Sequence, residues 1–194
     1  MEVVDTQEKS TRKIIVSWIL PIFGCLLLAW FITTFVIRSV EVDGYSMSPT
    51  LSDGDRALTL GIEGKIKRFD IVIVKKSSGN LKGQELVKRV IALPGETIEY
   101  KDGTLYINDK VVEEDFIEEV VKELTGTISK RTLEDDEYFV MGDNRGNSSD
   151  SRYFGAVKRN EITGKNIFRF MVCVEKDSNN ECSKRKLVWP SKVK

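Results

Sequence analysis

Three stretches of the sequence carry side chains that together could perform nucleophilic catalysis. The first, residues 44–51, holds Ser46 between Gly44 and Pro49, two residues that favour a bent, irregular backbone over a regular strand. A serine hydroxyl can attack a carbonyl carbon only when a nearby base takes its proton. Serine, glycine and proline are also the usual residues of ordinary turns, so the interpretation depends on finding that base.

The base is not a histidine, because the 194-residue chain contains none. Ser-His-Asp catalysis and histidine-ligated metal sites are thereby excluded. A lysine can serve instead if burial lowers its pKa from about 10.4 by roughly 2 to 3 units, so that the neutral amine is available. Lys88 fits best, since on a strand it would share one face with Leu86 and Val90. The same periodicity also fits an edge-strand lysine that prevents pairing with another sheet.

The third stretch, residues 142–152, is rich in glycine, serine, aspartate and arginine and is predicted to be a loop. It suits the surroundings of a lysine base, because a hydroxyl can orient the amine and an ion pair can hold the loop. The alternatives are an ordinary serine-rich turn and a weak calcium loop. The segment does not fit the EF-hand pattern, which requires Gly at the sixth and Glu at the twelfth position, and we expect no metal and no cofactor.

The composition narrows the class of protein further. The 30 basic and 30 acidic side chains cancel, so the basic excess that is typical of nucleic-acid binding is missing, and we expect no nucleic-acid partner. The hydrophobic fraction of 41% and the charged fraction of 31% are those of an ordinary folded chain.

An uncharged apolar run extends from Ile14 to Ile37 and predicts a transmembrane helix. At about 1.5 Å per residue it would be roughly 36 Å long, which is enough to cross a hydrocarbon core of about 30 Å. A cleavable signal peptide is the alternative, but its apolar region is about 7 to 15 residues long and ends at a small-residue cleavage site. We therefore favour an uncleaved anchor.

The distribution of basic residues predicts the orientation of this anchor. Three basic residues lie just before the run, in residues 1–13, and Arg38 is the only one soon after it. The positive-inside tendency then places residues 1–13 in the cytoplasm and residues 38–194 outside the cell.

The remainder of the chain predicts antiparallel β-structure. Residues 97–100 and 104–107 flank Lys101-Asp102-Gly103, which is a strong hairpin signal. Further β-rich runs predict strands at residues 69–74, 85–93, 137–141, 166–174 and 186–189. One helix-like pattern covers residues 116–124, inside an acidic stretch that we interpret as the solvated face of a small insertion and not as a metal site.

The three cysteines leave one question open. Cys25 lies in the apolar run, whereas Cys173 and Cys182 flank a polar stretch that resembles a hairpin tip. A disulfide across such a tip outside the cell and two unpaired thiols are both possible, because the sequence does not give the distance between the Cα atoms.

Taken together, these stretches resemble one family, the bacterial type I signal peptidases, which are membrane-bound Ser-Lys proteases. The match consists of four boxes in the family's order after an uncleaved anchor. Ser-Met-Ser-Pro-Thr-Leu at residues 46–51 resembles the nucleophile box, and residues 69–72 resemble the strand box that follows it. Residues 88–96 resemble the general-base box, and residues 142–155 resemble the box G-D-N-R-x-N-S-x-D-S-R-Y-x-G.

The resemblance implies a role for each matching residue. Ser46 would be the nucleophile, Lys88 its general base, and Ser148 the hydroxyl that orients the lysine amine. Charged side chains of the same loop would brace it without taking part in the chemistry: Asp150 with Arg152, and in addition Asp143 and Arg145.

Two positions near Ser46 affect this assignment. Ser48 is the rival hydroxyl, but the motif places the nucleophile before Met47. Gly44 stands where some relatives carry a serine whose hydroxyl helps to form the oxyanion hole. The backbone N–H of Ser46 must then carry more of the transition-state charge, together with a second backbone donor or a water.

The resemblance also implies the fold and the function. We expect a mainly β protein, in which a single N-terminal transmembrane helix precedes an extracytoplasmic antiparallel β fold, a partly open barrel with residues 96–136 partly forming a small second subdomain. The expected activity is removal of signal peptides from exported preproteins at the outer face of the cytoplasmic membrane, in contact with membrane lipid. The alternatives are a Ser-Lys protease with one dedicated substrate and an inactive membrane-anchored β module that binds exported chains.

Overall fold

The structure is a computed structural model that describes residues 15–31, 37–60, 64–178 and 182–193. The chain divides into two compact units, Met1–Arg38 and Ser39–Lys194. In the first unit, a π-helical turn at Ile15–Ile19 leads into helix α1 at Leu20–Phe31. Helix α1 has no buried residue, and its side chains are almost all apolar.

The expected transmembrane helix, Ile14 to Ile37, is described only in part. Residue 14 and residues 32–36 lie outside the described residues, and Ile37 is the first residue of a strand. Among the described residues, no helix is both long enough and apolar enough to cross a membrane.

The second unit is mainly β-structure, as the sequence predicts. The described strands of the chain are β1 Ile37–Glu41, β2 Arg56–Leu60, β3 Ile71–Lys75, β4 Glu85–Ala92, β5 Thr97–Lys101, β6 Thr104–Ile107, β7 Lys110–Val112, β8 Ile128–Thr132, β9 Glu137–Met141, β10 Val157–Lys158, β11 Ile162–Lys176 and β12 Cys182–Lys192. Short helices lie between them: α2 Glu119–Glu123, α3 Ser151–Phe154 and a 3-10 turn at Arg159–Glu161.

The strands form two antiparallel sheets. The larger sheet has the order β1-β2-β11-β3-β4-β9-β10, with β12 paired to β11, and it does not close into a barrel. The smaller sheet has the order β7-β6-β5-β8 and comes from residues inside the predicted range 96–136. It belongs to the same compact unit as the larger sheet.

Apolar packing fixes the segment that holds Ser46 against the larger sheet. Met47 and Leu51 are 1% and 0% exposed, and they share one buried cluster with Ile71 and Ile73 of β3. Burying an aliphatic side chain of this size contributes roughly 1.5 to 3 kcal/mol. The segment is irregular, but its position is therefore well determined.

A disulfide joins the two longest strands of the larger sheet, β11 and β12. Cys173 of β11 bonds to Cys182 of β12, with the Cα atoms 5.8 Å apart, which answers the question that the sequence left open. Gly54 packs directly on it, since a Cβ built at that position would lie 2.8 Å from the Cβ of Cys182. Cys25 is a free and exposed thiol.

A buried ion pair ties the end of β3 to the 3-10 turn before β11. Glu161 accepts from the Lys76 amine at 3.2 Å, from both the backbone N–H and the hydroxyl of Ser77 at 2.9 and 2.6 Å, and from the Lys158 N–H at 3.1 Å. Burial alone would raise the pKa of Glu161, but these hydrogen bonds outweigh it and lower the pKa to about 2.

We predict that Glu161→Gln destabilises the protein in a pH-dependent way. The folded pKa of Glu161 lies below its unfolded value, so its contribution is fully present above about pH 4.5 and is lost as the pH falls towards 2. The variant should be less stable than the wild type by about 3 kcal/mol at pH 7, and the difference should shrink below pH 4.5. Urea unfolding at pH 7, 4 and 2.5 measures this.

The exposed Glu85 of β4 offers a matched control, because Glu85→Gln removes the same charge from a solvated position. A deficit of Glu161→Gln that is equal at pH 7 and pH 2.5 would contradict the assigned ionisation of Glu161.

Candidate active site

The structure brings Ser46 and Lys88 together, although 42 residues separate them. Ser46 lies in the turns between β1 and β2, and Lys88 lies in the middle of β4, opposite Val72 of β3. The Lys88 Nζ is 2.7 Å from the Ser46 Oγ, which is hydrogen-bond distance. Only 2% of Lys88 is exposed, so its amine is almost wholly removed from water. Lys88 is thus not the exposed edge-strand lysine of the alternative interpretation.

The burial of Lys88 changes its protonation. Loss of hydration penalises the ammonium form and is the main reason that the pKa of Lys88 falls from 10.5 to about 8. The charge of Arg152 lowers it further, whereas the carboxylates of Asp150 and Asp143 raise it. With a pKa of about 8, roughly one lysine in ten is neutral at pH 7, compared with fewer than one in a thousand for an unperturbed lysine.

Asp143 connects three parts of the site. Both of its oxygens accept from the guanidinium of Arg89, at 2.8 and 2.6 Å, and one also accepts from the Thr50 hydroxyl at 2.5 Å. Arg89 and Asp143 are 1% and 0% exposed. The pair therefore ties the residue after the lysine, the segment of the serine and the loop of residues 142–152 into one unit.

Gly142 and Asn144 place the loop directly on the serine segment. The N–H of Asn144 donates to the Ser46 carbonyl at 3.1 Å, and its side-chain amide donates to the Tyr45 carbonyl at 3.1 Å. A Cβ at position 142 would lie 2.4 Å from the Ser46 carbonyl oxygen and 2.3 Å from the Ser148 Oγ, so only glycine fits there. Both residues lie in the quoted box, but no role was assigned to them from the sequence.

The expected hydrogen bond from Ser148 to the lysine amine is not formed. The Ser148 Oγ is buried and has no hydrogen-bond partner among the described residues. Its side chain lies against Gly142 instead, where the beginning of the loop and the segment around Ser148 approach closely. The structure therefore brings Ser148 close to the serine segment but does not show it orienting Lys88.

The predicted ion pair between Asp150 and Arg152 is present. The Arg152 guanidinium reaches both carboxylate oxygens, at 2.8 and 2.9 Å, and donates to the Thr125 carbonyl at 3.2 Å. Asp150 also accepts from the backbone N–H of Gly142 at 3.1 Å and caps helix α3. The pair thus closes the loop on itself and attaches it to the segment before β8.

Arg145 braces the loop through residues outside it. It pairs with Glu114, donates to the Thr125 hydroxyl at 2.9 Å, and is 1% exposed. Glu114 also accepts from the Tyr100 hydroxyl at 3.0 Å and is 2% exposed. The interpretation of the acidic stretch as a solvated face is therefore wrong at Glu114, because a distant arginine draws that carboxylate into the interior.

Gly44 has a φ of +86°, a backbone conformation that residues with a side chain rarely adopt. Its N–H donates to the Asp53 carboxylate at 2.6 Å. Because residue 44 is glycine, it offers no side-chain donor for an oxyanion, and its backbone N–H is already bonded to Asp53.

Comparisons with known proteins agree with the resemblance. The model of the family described as "Signal peptidase, peptidase S26" matches residues 15–171. Signal peptidase I of Bacillus licheniformis is 40% identical over 178 residues, which cover 85% of this chain and 94% of that protein. Signal peptidase I T of Bacillus subtilis (strain 168) is 39% identical, over 85% of this chain and 89% of the relative.

Two further matches carry related names. Signal peptidase IB of Staphylococcus aureus (strain COL) is 33% identical, over 82% of this chain and 91% of the relative. Among solved structures, signal peptidase I from Enterococcus faecalis V583 is 37% identical, covers 54% of this chain and 98% of its own, and superposes with a TM-score of 0.48.

We predict that Lys88 titrates near pH 8, because its burial disfavours the ammonium form. The ¹³Cε chemical shift of lysine, followed by NMR from pH 6 to 11, reports this titration, and the Lys88→Met variant assigns the signal. The other lysine signals serve as internal references. A Lys88 signal that stays in its charged form up to pH 10 would contradict the prediction.

Proposed function

Because this chain belongs to the signal peptidase family, peptidase S26, we propose that it removes signal peptides from exported preproteins with Ser46 as nucleophile and Lys88 as general base. One observation carries this assignment. The only serine hydroxyl within hydrogen-bond distance of the Lys88 amine, among the described residues, is that of Ser46, at 2.7 Å. A buried lysine beside a serine has no use in a protein that only binds exported chains, so this contact favours the enzyme over a binding module.

The proposed reaction begins with neutral Lys88. Its amine takes the proton of the Ser46 hydroxyl while the Oγ attacks the carbonyl carbon of the scissile peptide bond. The resulting ammonium gives the proton to the leaving amine, and the C–N bond breaks to leave an ester on Ser46. The amine, neutral again, takes a proton from water while the hydroxide attacks the ester carbonyl. The Lys88 ammonium then returns this proton to the Ser46 Oγ as the C–O bond breaks, which releases the acyl group as a carboxylic acid and restores both Ser46 and neutral Lys88.

The developing oxyanion needs hydrogen-bond donors. We propose the backbone N–H of Ser46 as the principal donor, since Gly44 supplies no hydroxyl. Preorganisation of this donor depends on the turn that holds Ser46, which the packing of Met47 and the hydrogen bond from Asn144 support.

We propose that the charged side chains of the loop 142–152 have a structural role and take no part in the proton transfers. Asp150 with Arg152 holds the loop closed, and Asp143 with Arg89 attaches it to β4 and to the serine segment. These carboxylates are already paired with arginines, so they act on Lys88 only through their charge and are not acid–base catalysts.

We further propose that the protein spans the membrane once. The support is the uncharged run from Ile14 to Ile37, the basic residues before it and the family of the chain. Residues 1–13 would lie in the cytoplasm, residues 14–37 in the membrane and residues 38–194 outside, where preproteins present their cleavage sites. Exported preproteins and membrane lipid are then the partners.

We predict that Ser46→Ala and Lys88→Met each reduce cleavage by at least about 1,000-fold, because each removes a group that makes or activates the nucleophile. The assay is cleavage of a preprotein with an Ala-x-Ala site by the detergent-solubilised full-length chain. Mass spectrometry of the products locates the cut, and thermal unfolding shows whether each variant is folded.

Two matched controls accompany these variants. Ser48→Ala removes the rival hydroxyl, and Lys75→Met removes an exposed lysine of β3. Both should retain activity within about threefold. A folded Lys88→Met variant that cuts within tenfold of the wild type would show that the base lies elsewhere, and loss of activity in Ser48→Ala alone would reassign the nucleophile.

A further inference from the structure

A second charged pair, Asp53 with Lys176, contacts the turn that carries Ser46 and includes no residue of the loop 142–152. Asp53 accepts the backbone N–H of Gly44 at 2.6 Å through one carboxylate oxygen. The other oxygen forms an ion pair with the Lys176 amine. Gly44 is two residues before Ser46, so this carboxylate acts on the backbone immediately before the nucleophile.

Lys176 makes a second contact with the same turn. Its amine donates to the Tyr45 hydroxyl at 3.0 Å. Lys176 is the last residue of β11 and lies opposite Cys182 of β12, so the disulfide from Cys173 to Cys182 closes the hairpin that presents it. The amine therefore reaches the turn from a covalently restrained position.

The segment around Asp53 is itself fixed to that hairpin. Gly54 packs on the disulfide, and its carbonyl accepts from Arg185 of β12 at 3.2 Å. The fully buried Asp55 accepts from the Cys173 N–H at 3.1 Å. Both ends of the Asp53–Lys176 pair are therefore attached to the same β11–β12 hairpin.

The hydrogen bonds that Asp53 accepts also favour its ionised form. The hydrogen bond from Lys176 is the main reason that the pKa of Asp53 is lowered, and the Gly44 N–H lowers it further. The pair thus remains charged across the neutral range. Asp53 is 15% exposed and Lys176 is 26% exposed at the side chain, so solvent screens the pair only partly.

We propose that Asp53 and Lys176 are positioning residues for the reaction: they fix the Gly44–Tyr45 backbone and thereby aim the N–H and Oγ of Ser46. This inference rests on the proposed function of Ser46. The turn has a positive φ at Gly44 and no side chain there to restrain it, so the Asp53 carboxylate supplies a restraint that the sequence of the turn does not.

The proposal predicts a loss in turnover and not in substrate binding. Lys176→Met should lower kcat about tenfold while KM stays within about twofold, because the ground-state contacts of the substrate are unchanged and the oxyanion donor is less well aimed. Lys176→Arg should restore most of kcat, since a guanidinium can replace the ammonium on Asp53. Asp53→Asn should lower kcat to a similar degree.

The double variant Asp53→Asn/Lys176→Met distinguishes positioning by a pair from two independent effects. If the two residues act as one unit, the double variant should lose no more than about the larger single loss. The matched control is Lys184→Met, which removes an exposed lysine from the other strand of the same hairpin and should leave kcat unchanged.

All variants are assayed as full-length protein in detergent on the same Ala-x-Ala preprotein, beside the wild type and Ser46→Ala. Three results would each overturn the positioning role alone. The first is a folded Lys176→Met variant with wild-type kcat, and the second is a Lys176→Arg variant that does not restore kcat. The third is a double variant whose loss in kcat is the product of the two single losses. A wild-type protein that does not cleave the preprotein would contradict the proposed function and the inference together.

Discussion

The removal of one lysine amine from water is the constraint on which the rest of the site depends. In water the Lys88 side chain would keep its proton well above neutral pH, but at 2% exposure its pKa falls to about 8. This shift corresponds to about 3 kcal/mol between the two protonation states. Below pH 8, where both the folded and the unfolded chain carry the proton, the folded state is less stable by that amount than above pH 10.5, where neither carries it. The apolar packing around Lys88 must outweigh this cost, and the buried apolar side chains of β3, β4 and β9 are suited to do so.

The charges around Lys88 are arranged so that they do not cancel the lowering of its pKa. Lys88 lies near two carboxylates, and an unpaired carboxylate in contact with the amine would hold the proton on it. Instead, Asp143 is paired with Arg89 and Asp150 with Arg152, each in a two-pronged contact that occupies both carboxylate oxygens. Such buried pairs contribute modestly to net stability, yet they are costly to break, so they define one position for the loop. The same logic extends to the buried pair of Glu114 with Arg145, and the partly exposed pair of Asp53 with Lys176 restrains the turn before Ser46.

Local patterns predicted much of the fold, and the failures have identifiable physical causes. The turn Lys101-Asp102-Gly103 and its flanking strands were confirmed as β5 and β6, because hairpin chemistry is local. The β-branched run at residues 69–74 becomes strand only from Ile71, since Phe69 has a φ of 67° and gives its carbonyl to Arg89. The helical pattern at residues 116–124 yields only the short helix α2, Glu119–Glu123. The partners of Glu114 and Asp143 were beyond reach, because a carboxylate in the sequence does not indicate which distant arginine will neutralise it. Gly142 and Asn144 stood in a recognised box, but their close contact with Ser46 depends on the tertiary approach of two loops.

The measurement that tests the central claim most directly is the location of the covalent intermediate. The full-length protein would be mixed with a p-nitrophenyl ester of an acetylated Ala-x-Ala peptide, quenched in acid during turnover, digested and mapped by mass spectrometry with fragmentation that separates Ser46 from Ser48. The account predicts that the acyl group is on Ser46, at no more than one per chain, and is absent from Ser46→Ala. An acyl group on Ser48 or on any other side chain would contradict it.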